Sequence, residues 1–285
     1  MKVLVLGVTG MLGNAVFRYL SAAGTYEVCG SARGGNAKGY FAPEIAQNII
    51  TGVNVENYDN LVDLFGQVEP DLVINCIGLI KQLSEAKDPL VALPINAILP
   101  HRLARLCRVS RARLIHVSTD CVFSGTKGGY VESDTADAID LYGRSKYLGE
   151  VHDSHAITLR TSIIGPELGS RPRGLLGWFL SQQNIAEGYS RAIFSGVPTV
   201  ELARLIHEFV IPRPELSGLF HVAAEPISKY ALLELLAMAY EKKIAIRPVD
   251  DPVIDRSLNA DLFKKMTGYV APPWPELVQQ MRQFG

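Results

Sequence analysis

The 285-residue sequence predicts an α/β fold, a doubly wound parallel sheet followed by a smaller mixed portion. Three patterns carry that expectation. Continuous β-branched and leucine runs recur through the first 165 residues, as in strands buried on both faces. Stretches with apolar residues at helical spacing separate these runs, and parallel strands need such crossovers. A glycine-rich turn joins the first run to the first helical stretch, where open α/β sheets bind phosphate.

Lys2–Leu6 is the first buried run, and it enters Gly7-Val8-Thr9-Gly10-Met11-Leu12-Gly13 directly. Each glycine has its own task. Gly7 permits the tight turn, Gly10 lets backbone approach a pyrophosphate, and Gly13 lets the helix pack on the strand. The following helix runs from Met11 to Leu20, which makes this a dinucleotide-binding turn of the Rossmann type. The second strand, Tyr26–Gly30, leads to Ser31 and Arg33, with no Asp or Glu between Val28 and Glu44. An acidic residue here would take the ribose hydroxyls of NAD. An arginine among small neighbours suits a 2'-phosphate, so Arg33 and Ser31 point to NADPH in preference to NADH.

From Lys38 to Thr51 the pattern is irregular; Val53-Asn54-Val55 is a short apolar piece whose Asn54 could reach an adenine edge. A helix from Tyr58 to Gly66 ends before Pro70. Asp71–Gly78 carries the next buried strand, and Asn75, Cys76, Ile77 and Gly78 open its carboxyl end to a cofactor. A helix from Asp88 to Val109 carries Asn96 at a position where an apolar residue is expected. That amide is either a satisfied core group or an organiser of water and lysine near the cofactor.

Ala112–Val117 delivers Ser118, Thr119 and Asp120 to the ligand crevice, Ser118 toward the cofactor and Thr119 toward a substrate carbonyl. Asp120 either contacts substrate hydroxyls or caps the turn. A glycine-rich loop from Cys121 to Tyr130, with a possible small hairpin, precedes the helix of Tyr142 and Lys146. Four residues apart on a helix, these two share a face. A phenol beside an ammonium should have a lowered pKa and can protonate a ketone oxygen as hydride arrives at carbon. His152 and His155 read as exposed. Ala156–Ile164 is a further strand closed by Gly165-Pro166.

Beyond Pro166 the alternation loosens. Helices are expected at 174–184, 199–209, 228–240, 258–267 and 275–281, with strands at 218–223 and 244–248. Residues 1–165 therefore form the dinucleotide-binding domain with the catalytic residues. Residues 166–285 mainly bind substrate, with some elements returning to the main sheet.

Hydrophobic residues are 48% and charged residues 20%, with 28 basic against 29 acidic, so no global field favours nucleic acid or membrane. Cys29, Cys76, Cys107 and Cys121 lack metal-ligand spacing and read as buried free thiols, with no metal site expected. With no apolar run long enough to span a bilayer, the expected location is the cytoplasm.

Gly7-x-x-Gly10-x-x-Gly13, Ser118-Thr119-Asp120 and Tyr142-x-x-x-Lys146 together resemble the extended short-chain dehydrogenase/reductase family over nearly the whole chain. Ser118-Thr119-Asp120-Cys-Val-Phe123-x-Gly125 is similar to its dTDP-4-dehydrorhamnose reductase group, while Ile77-Gly78-Leu79-Ile80-Lys81-Gln82 looks more like reductases of UDP-linked N-acetylated 4-keto-6-deoxy sugars. Cys121 stands where the rhamnose group usually has tyrosine.

The resemblance implies NADPH-dependent reduction of the 4-keto group of a nucleotide-linked 6-deoxy sugar. Tyr142 would be the proton donor, Lys146 the ribose ligand, and Thr119 the residue that orients the ketone. Val8, Thr9, Met11 and Leu12 would add backbone contacts to the pyrophosphate; Thr161, Ser162 and Ile163 would pass the nicotinamide. Arg173, Trp178, Gly196, Val197 and Arg256 would contact substrate. A homodimer is compatible with these features. An epimerase, a dehydratase, a non-catalytic binding subunit and a reductase of small carbonyls are the alternatives. The dehydratase lacks a glutamate beside Thr119, and an intact Thr119–Tyr142–Lys146 set argues against the binding subunit.

Overall fold

The computed structural model describes residues 1–81, 84–169 and 173–285, with the side chains of Ser84 and Glu85 excepted; Gln82 lies outside this range. The main sheet uses β1 (Lys2–Leu6), β2 (Glu27–Ser31), β3 (Ile49–Ile50), β4 (Leu72–Asn75), β5 (Arg113–Thr119) and β6 (Ala156–Thr161). Short strands follow: β7 (Ile163–Ile164), β8 (Ile185–Tyr189), β9 (Ala192–Phe194), β10 (Val197–Pro198), β11 (Gly218–His221), β12 (Ile227–Ser228), β13 (Ala245–Val249) and β14 (Ile254–Asp255). The seven-stranded sheet has the order β11-β6-β5-β4-β1-β2-β3, and every pairing in it is parallel. Strand order reverses between β1 and β4, so a crevice opens there at the carboxyl edge.

Helices cover both faces. They are α1 (Met11–Ala23), α2 (Pro43–Ala46), α3 (Tyr58–Val68), α4 (Pro89–Ala92), α5 (Leu99–Ser110), α6 (Leu141–Leu148), α7 (Leu175–Ser181), α8 (Thr199–Leu205), α9 (Lys229–Ala239), α10 (Asp261–Thr267) and α11 (Trp274–Phe284). A π-helical segment, Leu93–Ile98, joins α4 to α5, so the predicted long helix is continuous but widened around Asn96. Val3, Val5 and Ile115 face one core cluster and Leu4, Leu6 and Leu114 the other, as strands covered on both sides require. The larger cluster runs from Val3 to Met281 and so draws on both sides of residue 165. Among the described residues no helix is long and apolar enough to cross a membrane.

Several elements differ from expectation. The third strand is Ile49–Ile50, upstream of Val53-Asn54-Val55, because Gly30 and Ser31 pair there. No hairpin forms between Cys121 and Tyr130; a 3-10 turn at Asp120–Val122 leads to a bridge between Tyr130 and Leu258. The predicted strand 156–164 breaks at Ser162, and its end pairs with β10 in a separate sheet. β9, β12 and β14 form a three-stranded sheet that was not anticipated. Of the four free thiols only Cys107 is buried; Cys29, Cys76 and Cys121 are half-buried.

A buried ion pair within the first portion reaches the second through His221. Glu150, just after α6, accepts from Arg160 Nε and Nη2, each at 2.7 Å, and from Ser118 Oγ at 2.8 Å. Arg160 Nη1 lies 3.3 Å from His221 Nε2, and His221 Nδ1 lies 3.0 Å from the Tyr130 carbonyl. A carbonyl can only accept, so Nδ1 carries the proton and Nε2 receives from Arg160. Removing one partner strands a buried charge. Glu150→Ala is expected to cost about 3–5 kcal/mol in urea unfolding, with Glu150→Leu/Arg160→Met together costing much less.

Burial and Arg160 push the His221 pKa down to about 4 from 6.5. Between those values the unfolded chain binds the extra proton, so stability falls as pH falls. Acidification to about pH 5 should remove roughly 2 kcal/mol through His221. Urea midpoints across this window should show a shallower slope for His221→Gln than for the parent.

Candidate active site

The carboxyl edge of the sheet begins with the turn after β1. Gly7 has φ +81° and its amide donates to the Ser31 carbonyl at 3.1 Å. A Cβ at Gly13 would overlap the Gly7 carbonyl, so glycine alone lets α1 sit this close to β1. Gly10 is the N-cap of α1 and supplies no side-chain cap, and no acidic residue occupies the first turn. The open helix start thus presents N–H groups and the positive dipole end to an anion. Thr9 and Gly10 are exposed, whereas the Leu12 side chain is core and can offer only backbone.

Ser31 is buried at the end of β2, and Arg33, two residues on, is exposed. Cys76, Ile77 and Gly78 follow β4 and face the same edge, with a Cβ built on Gly78 3.8 Å from Lys146 Nζ. These residues fit a dinucleotide: an anion cradle, a cation for a phosphate, and a side-chain-free approach to Lys146. Asn54 is exposed, and its side-chain oxygen accepts from Glu56 N at 3.2 Å in a local turn.

Helix α6 is placed by two close approaches. A Cβ at Gly143 would overlap the Cys121 carbonyl, and one at Gly149 would overlap the Asn96 carbonyl. Asp140 caps the helix, accepting from Gly143 N at 2.8 Å. Asn96 accepts from Leu79 N at 2.9 Å and donates to Leu79 O at 3.3 Å and Ser145 Oγ at 3.2 Å. It is therefore a satisfied core amide that fastens the loop after β4 to α6. Gly149, Ser145 and Glu150 were not singled out in the sequence. Glycines or small residues flanking Lys146 at helix-packing intervals were the available signal for the first two.

Thr119 stands close to the Tyr142 hydroxyl; its own Oγ1 donates to Asp120 Oδ1 at 3.1 Å and accepts from Cys121 N at 3.2 Å. Lys146 is buried, and its ammonium donates to the Val117 carbonyl at 2.8 Å. The expected lowering of the Tyr142 pKa is overturned. Burial pushes the hydroxyl above the ordinary tyrosine range, the nearby Cys121 adds to this, and the hydrogen bond with Thr119 only partly opposes it. Burial also draws Lys146 down to about 8, Glu150 opposing. The same desolvation that disfavours phenolate disfavours ammonium, and it outweighs their spacing.

Other expected residues fall into two groups. Ser118 is committed to Glu150, and Thr161 is buried with its hydroxyl bonded to the Ser162 carbonyl at 3.0 Å. The Val197 side chain is fully buried in the core, and Gly196 lets backbone pack against the Ser162 carbonyl, which a Cβ would overlap. Ile163 is half-buried on β7. Arg173 and Trp178 are exposed around α7, and Arg256 reaches the Phe123 carbonyl at 2.7 Å from Nε. Asp120 is buried beside Thr119.

A glycine turn at a sheet switch point, at the same edge as Thr119, Tyr142 and Lys146, defines a Rossmann-type α/β protein. The chain belongs to the family described as RmlD substrate binding domain, whose model matches residues 1–281. A probable low-salt glycan biosynthesis reductase of Haloferax volcanii is 35% identical over 170 residues, 58% of this chain and 54% of that protein. The methionine adenosyltransferase 2 subunit beta of Rattus norvegicus is 26% identical over 278 residues, 92% of this chain and 80% of that one. The crystal structure of a Bacillus anthracis dTDP-4-dehydrorhamnose reductase in complex with NADP has a TM-score of 0.81 at 20% identity, covering 100% and 99% of the two chains.

The lowered Lys146 value is directly measurable. In isotope-labelled lysine NMR of the cofactor-free protein, the signal lost in Lys146→Met should titrate near 8, well below the ordinary 10.5. A midpoint at the ordinary value would mean that burial does not govern this site.

Proposed function

We propose that the protein reduces the 4-keto group of a nucleotide-linked 6-deoxy sugar, using NADPH. The observation that carries this reading is the gathering of Thr119 at the end of β5 with Tyr142 and buried Lys146 of α6, at the sheet edge that also holds the turn of Gly7, Gly10 and Gly13. The similarity to a probable glycan biosynthesis reductase of Haloferax and to a dTDP-4-dehydrorhamnose reductase of Bacillus in complex with NADP supports it.

A nicotinamide dinucleotide held by the 7–13 turn, with Arg33 at its 2'-phosphate, supplies the hydride. Thr119 and Tyr142 bracket the ketone oxygen, and Tyr142 gives its proton as carbon receives the hydride, so ketone becomes alcohol. A raised pKa keeps Tyr142 protonated at neutral pH, as a donor must be. Lys146, charged below about 8, stabilises the phenolate left behind. Burial makes that charge interaction stronger than it would be in water.

The similarity to a methionine adenosyltransferase subunit over 92% of this chain favours one second reading, a non-catalytic subunit that keeps the dinucleotide fold. Consumption of NADPH with dTDP-, UDP- and GDP-linked 4-keto-6-deoxy sugars separates the two. Oxidation with at least one sugar, reduced at least about 100-fold in kcat by Tyr142→Phe, is the expected result. Silence with the whole panel would sink the reductase and favour the subunit. In the same assay Arg33→Ala should raise KM for NADPH about tenfold while leaving that for NADH unchanged.

A further inference from the structure

His116 is the buried titratable group that the reaction leaves unexplained. On β5 it lies between Leu114 and Ser118 at two-residue spacing, so all three side chains leave one face of the strand. Leu114 belongs to the cluster that holds Leu103 and Cys107 of α5, and Ser118 reaches Glu150 just after α6. His116 therefore lies under these two helices, and it is fully buried. The hydrogen bonds around the ring fix its proton. Asn75 Oδ1 accepts from Ile77 N at 3.1 Å, so the Asn75 amide turns its nitrogen to the ring, 3.1 Å from His116 Nδ1. Nδ1 must then accept, and the proton of the neutral ring sits on Nε2. Burial, with the Lys146 and His101 charges, holds the pKa well below the usual histidine value, so the ring is neutral at neutral pH. Nε2 itself is buried with no hydrogen-bond partner among the described residues.

Lys146 has the complementary need. Its ammonium carries three donors, and among the described residues one is used, on the carbonyl of Val117, the residue after His116. The same ammonium lies 3.8 Å from a Cβ built on Gly78, in the stretch that Asn75 begins. Ring and ammonium thus sit beside the same two stretches of chain, 75–78 and 116–117. Asn96 makes no hydrogen bond to the ammonium, since its amide goes to Leu79 and Ser145. Around the pair stand Tyr142, one turn back on α6; Glu150, bound by Arg160 of β6; and His101 of α5, whose Nε2 donates to the Leu148 carbonyl at 2.7 Å. Cys76, after β4, packs in the opposite cluster. Glu150 favours the charged lysine, but its carboxylate already accepts three hydrogen bonds. Nε2–H and the ammonium are both donors, so the group that joins them must accept twice, as a buried water does.

We propose that His116 is a positioning residue for Lys146, holding through Nε2–H a water that also accepts from the ammonium and so keeps Lys146 charged in its buried setting. Desolvation disfavours the ammonium, and a hydrogen bond to the charged form opposes that loss. The effect on turnover rests on the reductase reading, whereas the protonation of Lys146 is measured without substrate.

The test is NMR of the full chain, cofactor-free, with labelled lysine and histidine and with two variants that divide the ring. His116→Asn keeps an acceptor for Asn75 near the place of Nδ1, and His116→Gln keeps a donor near the place of Nε2. In the parent, His116 should carry its proton on Nε2 from about pH 6 to 8, with a cross-relaxation peak from that proton to a bound water. The Lys146 midpoint, about 8 in the parent, should fall by about one unit in His116→Asn and by less than about half a unit in His116→Gln. With a sugar that is turned over, the alkaline fall of kcat should move by the same amounts, while KM for NADPH at about pH 6 stays within about threefold. An unchanged midpoint in His116→Asn, or one moved up towards 10.5 by water entering the smaller site, overturns the proposal. Should that variant not fold, the parent's spectra decide, since a proton on Nδ1 or no water at Nε2–H overturns it equally. The expected midpoint shifts, with no sugar ever oxidising NADPH, would instead overturn the reductase and retain the role of His116.

Discussion

The Glu150–Arg160 pair is the constraint on which the site depends. Glu150 closes α6 and binds the end of β5 through Ser118; Arg160 sits on β6 and passes the linkage to His221 on β11. His221 then holds the Tyr130 carbonyl, and its own amide donates to Glu132 at 2.8 Å. Arg160 also lies 5.2 Å from the Phe123 ring centre, and Phe123 stacks on Tyr130 at 4.1 Å. One desolvated carboxylate therefore fixes the helix of Tyr142 and the end of the loop from Cys121 to Tyr130. Such a pair is costly to bury, and its return is geometry: all three members have fixed orientations and no water to exchange with.

The tyrosine and lysine then depend on how near α6 can come to the sheet. Glycines at 143 and 149 bring the helix against the carbonyls of Cys121 and Asn96, and Asn96 ties it to Leu79. Widening of the preceding helix at Leu93–Ile98 accompanies that contact, and π-helical turns of this kind occur often at functional positions. Position and electrostatics are linked here. A helix packed this closely excludes water from Tyr142 and Lys146, and exclusion of water is what raises one pKa and lowers the other.

Much of this was legible in the sequence where periodicity and glycine act locally. β1, the Gly7–Gly13 turn and the order of the buried strands follow from residue patterns. Thr119, Tyr142 and Lys146 could be picked because a strand end and a helix face each have a fixed direction. Pairing between distant short segments leaves no such trace: two residues at Ile49–Ile50, or at Ser228 and Asp255 around Ile193, are too few to show a period. Gly196 and Val197 illustrate the opposite error. A small residue beside an apolar one in a loop resembles a ligand contact, yet backbone approach to Ser162 and core burial explain both.

The sign of the Tyr142 shift shows where spacing stops being informative. Four-residue separation brings phenol and ammonium together, and attraction alone would make the phenol more acidic. Burial is a property of the assembled fold and acts on each group in the direction of its neutral form. The result is a phenol that holds its proton and an ammonium whose charge is retained only below about 8. In the proposed reduction negative charge would appear on Tyr142 as its proton leaves, and the lysine one helical turn away would stabilise it.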